Sequence, residues 1–197
     1  MSAVLSSDTV TFADVVHHSI SFRRGDPAER LILELLETPW VQRLRDISQT
    51  ANTKLVYMFC EHSRFGHSLG VAYLASVLLD KLEQSHADEV RPYRAAVLAA
   101  ALLHDIGHLA PGSHTAFKAW FPGQQDTHEL LAVKVVREDP VINGVLSRFD
   151  PALPGLVEAI LTESDDVPPW CCQMLSGSGW NVDRGNWCIV DSVMAGV

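Results

Sequence analysis

The sequence predicts an all-α protein, a compact helical bundle, and three observations support this prediction. Apolar residues recur at helical spacing in most segments, as Leu31, Ile32, Leu35 and Leu36 do. Proline, glycine or a capping aspartate or threonine stands near the expected ends of these segments. No stretch gives a convincing run of paired strands, and the sequence has no internal repeat.

Residues 1–25 are predicted to form an N-terminal arm, and residues 26–197 a single domain. Within the arm, residues 10–22 alternate weakly and fit either an extended segment or part of a helix. Pro27 suits the first turn of the first helix of the domain, and Pro39 opens the second. Helices are expected over residues 28–37, 40–49, 68–82, 92–105, 114–120, 127–138, 141–149, 155–163, 170–175 and 183–197.

Composition excludes several classes of protein. The chain has 197 residues, 47% of them apolar, and a net charge of -9 without any basic block, so nucleic acid is not expected as a partner. The longest apolar run, residues 95–103, is too short to span a bilayer, and the N-terminus does not resemble a signal peptide. The four cysteines have no metal or disulfide spacing. We therefore expect a cytoplasmic protein with no membrane partner.

The most informative stretch is the apolar run 95–103, which ends in His104 and Asp105. A helix that is apolar all round lies in a protein interior, so this pair is expected at the tip of a buried rod. An imidazole and a carboxylate placed there are suitable metal ligands. The alternative is a buried histidine whose hydrogen bonds are satisfied by its neighbouring aspartate.

Six histidines between residues 62 and 128, several at predicted helix ends, form a reasonable candidate for a metal site, and their spacing fits a set of surface imidazoles equally well. These six are His62, His67, His104, His108, His114 and His128. By contrast, His17, His18 and His86 lie in polar, unpatterned surroundings, and we expect them at the surface.

An ordered series of motifs resembles the HD-domain metal-dependent phosphohydrolases, and more closely their deoxynucleoside triphosphate triphosphohydrolase branch. The series runs from about residue 30 to the end, and the order of its parts is more specific than His-Asp alone. It consists of PWVQRLR (39–45), HSRFGHSLG (62–70), LHDIGH (103–108), a Ser-His (113–114), a His-Glu (128–129) and DRGNWCIVD (183–191).

The resemblance implies a metal site and a substrate site. The implied metal ligands are His67, His104, Asp105 and Asp183, which would hold one divalent ion: Co, Mn, Mg, Fe or Ni. Arg64 and Arg184 would bind phosphate, or else be solvated surface charges. The residues implied in proton transfer or phosphate contacts are His108, His114 and His128, and those implied at the sugar are Gln49, Trp187 and Asp191.

Two departures from the family pattern bear on function. Phe117 stands where the family usually has an acidic residue, so a carboxylate partner for the general acid is missing unless Asp126 or Glu129 replaces it. Trp187 replaces a tyrosine at the sugar, and Asn186 a nearby aspartate, so sugar selectivity is not carried over.

The predicted function is metal-dependent removal of phosphates from nucleoside or nucleoside-analogue tri-, di- and monophosphates, by a monomer or small homo-oligomer. Stepwise removal is favoured because the chain is as compact as a family member that dephosphorylates a nucleoside analogue in antibiotic biosynthesis. The alternatives are release of intact tripolyphosphate, or a catalytically silent HD module that binds a nucleotide.

Overall fold

The computed structural model describes residues 8–110, 112, 114–125 and 127–196, and of residues 114–116 it describes the backbone alone. In this part of the chain a two-stranded hairpin is followed by ten α-helices, which confirms the predicted all-α class. The helices are α1 (Pro27–Leu36), α2 (Pro39–Gln42), α3 (Arg64–Val90), α4 (Arg94–Leu103), α5 (His114–Trp120), α6 (His128–Glu138), α7 (Pro140–Phe149), α8 (Leu153–Leu161), α9 (Pro169–Gln173) and α10 (Val182–Ala195). After α2, a 3-10 turn at Arg43–Asp46 takes the place of the middle of the predicted second helix, and another 3-10 turn follows beyond its predicted end, at Ala51–Leu55.

The described part of the N-terminal arm is a packed hairpin, so the prediction that no strands pair is wrong. Strands β1 (Thr9–Asp14) and β2 (His18–Arg23) pair antiparallel, and β2 turns Ile20 and Phe22 into the core. At the turn, Asp14 Oδ1 accepts hydrogen bonds from the backbone N–H of Val16 at 2.9 Å and of His17 at 2.6 Å. This aspartate turn takes the place of the glycine or asparagine that usually marks a hairpin.

Helix α4 forms the centre of the molecule. Every residue from 96 to 103 is fully buried, and the helix packs against α1, α3 and α8. Such an arrangement requires a helix that is apolar on all sides, as its sequence is. The end of α4 is consequently one of the most firmly held points of the fold, and His104 and Asp105 follow it directly.

A buried ion network ties the hairpin to α1, α3 and α4; its members, Arg23, Glu29, Ser76 and Arg94, are called the Glu29 cluster below. Glu29 and Arg94 are both buried, and Arg94 Nη2 lies 3.3 Å from Glu29 Oε1. Ser76 Oγ donates to Glu29 Oε1 at 2.7 Å, and Arg23 Nε donates to the same carboxylate at 3.1 Å. A buried charge of this kind is tolerated because opposite charge and hydrogen bonds surround it.

Candidate metal centre and active site

The four predicted metal ligands come from three helices. His67 lies near the start of α3, His104 and Asp105 directly follow α4, and Asp183 lies in the first turn of α10. A side-chain cap fixes the first turn of both α3 and α10, and α10 packs against α3. Folding therefore brings together ligands that are more than one hundred residues apart in the chain.

Three ligand atoms converge on one point. His67 Nε2, His104 Nε2 and Asp183 Oδ1 all lie within 4.8 Å of one another. The two imidazole nitrogens are 3.3 Å apart, and Asp183 Oδ1 lies 3.0 Å from His67 Nε2 and 3.6 Å from His104 Nε2. Two imidazoles and a carboxylate form a donor set that borderline divalent metals favour, so these residues fit a bound metal ion.

Asp105, the fourth predicted ligand, lies beside this trio. Its Oδ1 is 3.6 Å from His104 Nε2 and its Oδ2 is 3.7 Å from His67 Nε2. The buried guanidinium of Arg64 donates from Nη1 to Asp105 Oδ2, and from Nε to the carbonyl of Gly112 at 2.9 Å. Arg64 therefore holds a ligand carboxylate in place, and its predicted contact with a phosphate remains a prediction.

The pKa values follow from these contacts. Burial alone would lower the pKa of His104, but the carboxylates of Asp105 and Asp183 outweigh it and raise that pKa to about 9. Burial would raise the pKa of Asp105, but His104, a hydrogen bond from His108 and the charge of Arg64 hold it well below its ordinary value. In the metal-free protein, the cluster thus combines ionised carboxylates with a proton on His104.

Two further predicted histidines lie next to this cluster. The rings of His108 and His128 stack with centroids 3.9 Å apart and planes 19° from parallel, and His108 Nε2 lies 3.3 Å from Asp105 Oδ1. Burial lowers the pKa of His108 to about 4, in spite of Asp105. The backbone of α6 passes so close to Gly107 that a Cβ there would overlap the His128 carbonyl and lie 2.7 Å from the Ala132 nitrogen. Glycine at position 107 is what lets α6 bring His128 to the cluster.

The missing carboxylate at position 117 has no clear replacement among the described residues. Phe117 lies with His108 and His128 around a hollow of about 50 Å³. Glu129 Oε1 is 4.0 Å from His128 Nε2, which is too long for a hydrogen bond. Asp126 lies outside the described residues.

The cluster forms one wall of an open, mainly polar cavity of about 340 Å³. Nine predicted site residues line it: Gln49, Arg64, His67, His104, Asp105, His108, His128, Asp183 and Trp187. Gln49 Oε1 is buried there and has no hydrogen-bond partner among the described residues. Of the lining residues, Arg64 is the one with a fixed positive charge, and Asp105 neutralises it. An anionic substrate would therefore need a further cation in the cavity.

Three predicted site residues are placed differently. The guanidinium of Arg184 does not line the cavity, because it donates to the carbonyls of Gly179 at 2.7 Å and Ser178 at 3.0 Å. Asp191 pairs with His62, Oδ1 to Nε2 at 2.7 Å, and lines a second hollow of about 300 Å³. Trp187 lines both this hollow and the cavity, so the two are neighbours. The side chain of His114 lies outside the described residues.

The sequence missed several residues of the site. Glu163 lines the cavity with a left-handed backbone (φ 53°), a conformation that an L-residue adopts at a cost. Asn186 was named only as a departure near the sugar, whereas the structure buries it fully and places its Oδ1 3.0 Å from Nδ1 of His67, on the side of the ring opposite the ligand atom. His17 was expected at the surface, but it is partly buried and lies within 3.0 Å of Asn186. That expectation is wrong, because the hairpin turn folds back over α3 and α10.

Comparisons with known proteins agree with this geometry. Residues 64–165, just over half of the chain, match the family model described as HD domain. The chain is similar to the uncharacterized protein YwfO of Bacillus subtilis (34% identity; 80% of this chain, 34% of that protein). It is also similar to the uncharacterized protein MG461 of Mycoplasma genitalium (30%; 94% and 43%) and to the deoxynucleoside triphosphate triphosphohydrolase SAMHD1 of Danio rerio (32%; 74% and 23%). The chain thus spans less than half the length of these relatives. Among its described helices, none combines the length and apolarity needed to cross a membrane.

Proposed function

The chain belongs to the HD-domain family, and from this premise we propose that it is a metal-dependent phosphohydrolase acting on phosphorylated nucleosides. The observation that carries the proposal is the convergence of His67 Nε2, His104 Nε2 and Asp183 Oδ1 at the wall of a polar cavity. The similarity to proteins named deoxynucleoside triphosphate triphosphohydrolases supports the choice of substrate class.

In this proposal His67, His104, Asp105 and Asp183 hold one divalent ion. Their nitrogen and oxygen donors suit Co, Mn, Fe or Ni, and Mg less well. When bound, such an ion polarises a phosphoryl oxygen and lowers the pKa of a water molecule that binds to it. It also supplies the positive charge that the lining residues lack.

The side chains around the metal site are proposed to have separate roles in orienting a ligand and in proton transfer. Arg64 keeps Asp105 oriented, through the ion pair that also anchors the Gly112 carbonyl. We assign proton delivery to the leaving oxygen to His128, which lines the cavity and stacks on His108. The predicted part of His114 in this step stays a prediction.

The nucleoside is proposed to lie across Trp187, between the cavity and the neighbouring hollow. The unpartnered Gln49 Oε1 can accept a hydrogen bond from a sugar hydroxyl, since a buried acceptor without a partner is costly. Asp191 lines the hollow, where its carboxylate can accept another. To contact a phosphate, the Arg184 side chain would have to give up its hydrogen bonds to the backbone carbonyls of residues 177–179.

We propose stepwise removal of phosphates, including from nucleoside analogues, with release of intact tripolyphosphate as the alternative reaction. A cytoplasmic location is proposed as well, because all four cysteines are unpaired. One observation favours a catalytically silent module that binds a nucleotide. Phe117, beside His108 and His128, puts an apolar ring where the family usually has an acid.

The test is phosphate release resolved by product, from nucleoside tri-, di- and monophosphates. Purified protein is assayed with Co²⁺, Mn²⁺, Mg²⁺ or no metal. Inorganic phosphate appearing through diphosphate and monophosphate to nucleoside is the expected result, and intact tripolyphosphate would favour the alternative reaction. If no metal supports release while nucleotide still binds, and binding is lost in His104→Ala, the silent module is correct.

A further inference from the structure

We propose that Asn186 and His17 are positioning residues that hold His67 in the tautomer needed for metal binding, so that the N-terminal hairpin takes part in building the metal site. The proposal rests on the proposed function, because it requires that His67 be a metal ligand.

The three side chains form one hydrogen-bonded chain. His67 Nδ1, on the side of the ring opposite the ligand atom, lies 3.0 Å from Asn186 Oδ1. Asn186 Nδ2 in turn lies 3.0 Å from His17 Nε2. Asn186 is fully buried and His67 nearly so, which excludes water as a ready substitute for either partner.

The chemistry of each atom gives this chain a direction. An imidazole that offers its Nε2 lone pair to a cation must carry its proton on Nδ1. Asn186 Oδ1 can only accept, so it selects this tautomer of His67. Rotation of the amide by 180° would present Nδ2 to His67 instead, and a donor there favours the tautomer with its proton on Nε2, where the metal should bind.

His17 decides between the two amide orientations. Its Nε2 lies next to the amide NH₂ of Asn186 and accepts from it when the His17 proton is on Nδ1. The ring of His17 is itself held, since it packs edge-on against Tyr73 with centroids 5.6 Å apart. The aspartate turn at Asp14 fixes the His17 backbone.

The surroundings leave space for Asn186 and for little else. Gly70 lies one turn after His67 on α3, and a Cβ there would overlap the amide nitrogen of Asn186 and lie 3.0 Å from its Cγ. The side chain of Asn186 therefore occupies the space that the missing side chain of Gly70 leaves. This close fit holds the amide against His67.

The experiment measures binding of Co²⁺ alone, by its visible absorption and by competition with a chromophoric chelator, and compares unfolding temperatures of the metal-free proteins. His17→Phe keeps a ring against Tyr73 but removes the acceptor, and we expect it to weaken Co²⁺ binding about 10- to 100-fold. His17→Gln retains an acceptor of similar reach and should restore affinity. The matched control is His18→Asn, at the next residue, because asparagine tolerates the positive φ of position 18. Its affinity for Co²⁺ should be unchanged.

Repeating the His17 substitution in an Asn186→Asp variant distinguishes control of the His67 tautomer from a general loss of packing. In Asn186→Asp both side-chain oxygens accept, so no orientation can donate to His67. His17→Phe should then change Co²⁺ affinity by no more than about twofold, the scatter of independent sites. A merely structural role of His17 predicts the same loss in both backgrounds.

The outcomes are distinguishable. If the wild type binds Co²⁺ and His104→Ala does not, but His17→Phe binds as tightly as wild type, the role of His17 is overturned and the metal site stands. The role of His17 is overturned likewise if His17→Gln fails to restore affinity, or if the loss persists in Asn186→Asp. If the wild type binds no Co²⁺, or His104→Ala binds it equally well, both this inference and the metal site of the proposed function are overturned.

Discussion

Two buried polar clusters lie at opposite ends of α4, and they are built on different principles. In the Glu29 cluster near its start, a carboxylate meets two guanidinium groups and a hydroxyl donor. In the metal-ligand cluster beyond its end, two imidazole nitrogens 3.3 Å apart face two carboxylates, and the one guanidinium is bound to Asp105. The first cluster pairs opposite charges, with the buried Nε of Arg94 left without an acceptor among the described residues, whereas the second brings acceptors together.

This difference gives a criterion for telling a buried polar cluster that stabilises the fold from one that is suited to bind a cation. Matched charges need nothing more, and they hold the fold together. Converging lone pairs repel one another unless a proton or a cation lies between them. The raised pKa of His104 shows that this cluster binds a proton more tightly than a free imidazole does. Four variants or conditions test this contrast.

The largest effect is expected for His104→Ala. Loss of this ligand removes several kcal/mol of charge stabilisation at the phosphoryl group, so kcat/KM for metal-dependent phosphate release should fall by roughly 10³-fold or more. Above pH 9, where His104 has lost the proton that stabilises the metal-free fold, the unfolding temperature without metal should change little, because the substitution relieves crowding of acceptors. His86→Ala, at an exposed histidine, is the control for both measurements. A large drop in metal-free stability at that pH would contradict the contrast.

The next effect is expected for Arg94→Met. Removing a buried partner of Glu29 leaves part of its charge unmatched, and the free energy of unfolding should fall by about 3–5 kcal/mol. Chemical denaturation measures it, while Co²⁺ affinity of the folded protein should stay unchanged. Arg91→Met, which removes a largely exposed partner of Glu83, should change stability by less than about 1 kcal/mol. Equal losses in the two variants would show that burial does not matter here.

Metal addition should stabilise the folded protein through the metal-ligand cluster and independently of the Glu29 cluster. At 100 times its dissociation constant, a metal that binds only the folded protein adds about 2.7 kcal/mol to the free energy of unfolding. We expect this gain in wild type and in Arg94→Met alike, and none in His104→Ala, by thermal denaturation with and without Co²⁺. A gain in His104→Ala would place the metal elsewhere.

The smallest effect concerns pH. Because the pKa of His104 is raised to about 9 from an ordinary 6.5, its proton stabilises the metal-free fold fully below pH 6.5, and this contribution is lost as the pH rises through 9. The metal competes with that proton, so its affinity should rise about tenfold per pH unit up to about pH 9 and then level off. Titration calorimetry in buffers of different ionisation enthalpy would detect the released proton. Affinity independent of pH between 7 and 9 would contradict a protonated His104.

Much of the fold could be predicted from local patterns. The apolar run of α4 and Pro27 each mark a helix by nearest-neighbour chemistry, and both helices stand where expected. Pro39 marks the start of α2, but that helix ends at Gln42, earlier than expected. The hairpin was missed because its turn has no glycine or asparagine. Asp14 makes that turn with its side chain, and His18 takes a positive φ, neither of which periodicity reveals.

The candidate site divides in the same way. His67, His104, Asp105 and Asp183 were predicted as ligands from the family resemblance, whose short motifs contain them, and the structure brings the four side chains together. The distances between their ligand atoms depend on how the helices pack, and no local pattern predicts them.

Local patterns could not predict contacts between distant segments that have no motif. His17 and Asn186 are 169 residues apart in the chain. The side chain of Arg184 is drawn away by carbonyls of a loop whose course only tertiary packing determines.

If the proposed ligands hold a metal, their placement on α3, directly after α4 and on α10 also sets the moment at which the protein could take it up in the cell. Asp183 follows His67 by 116 positions, so at 5–20 residues per second the ribosome delivers it roughly 6 to 23 seconds later. During that interval α3 and α4 can pack together, and the nascent chain presents two histidines and Asp105 without the last carboxylate. Metal uptake by the proposed site would thus wait for α10 to dock against α3, so that loading would be a late event and would report a fully assembled helical bundle.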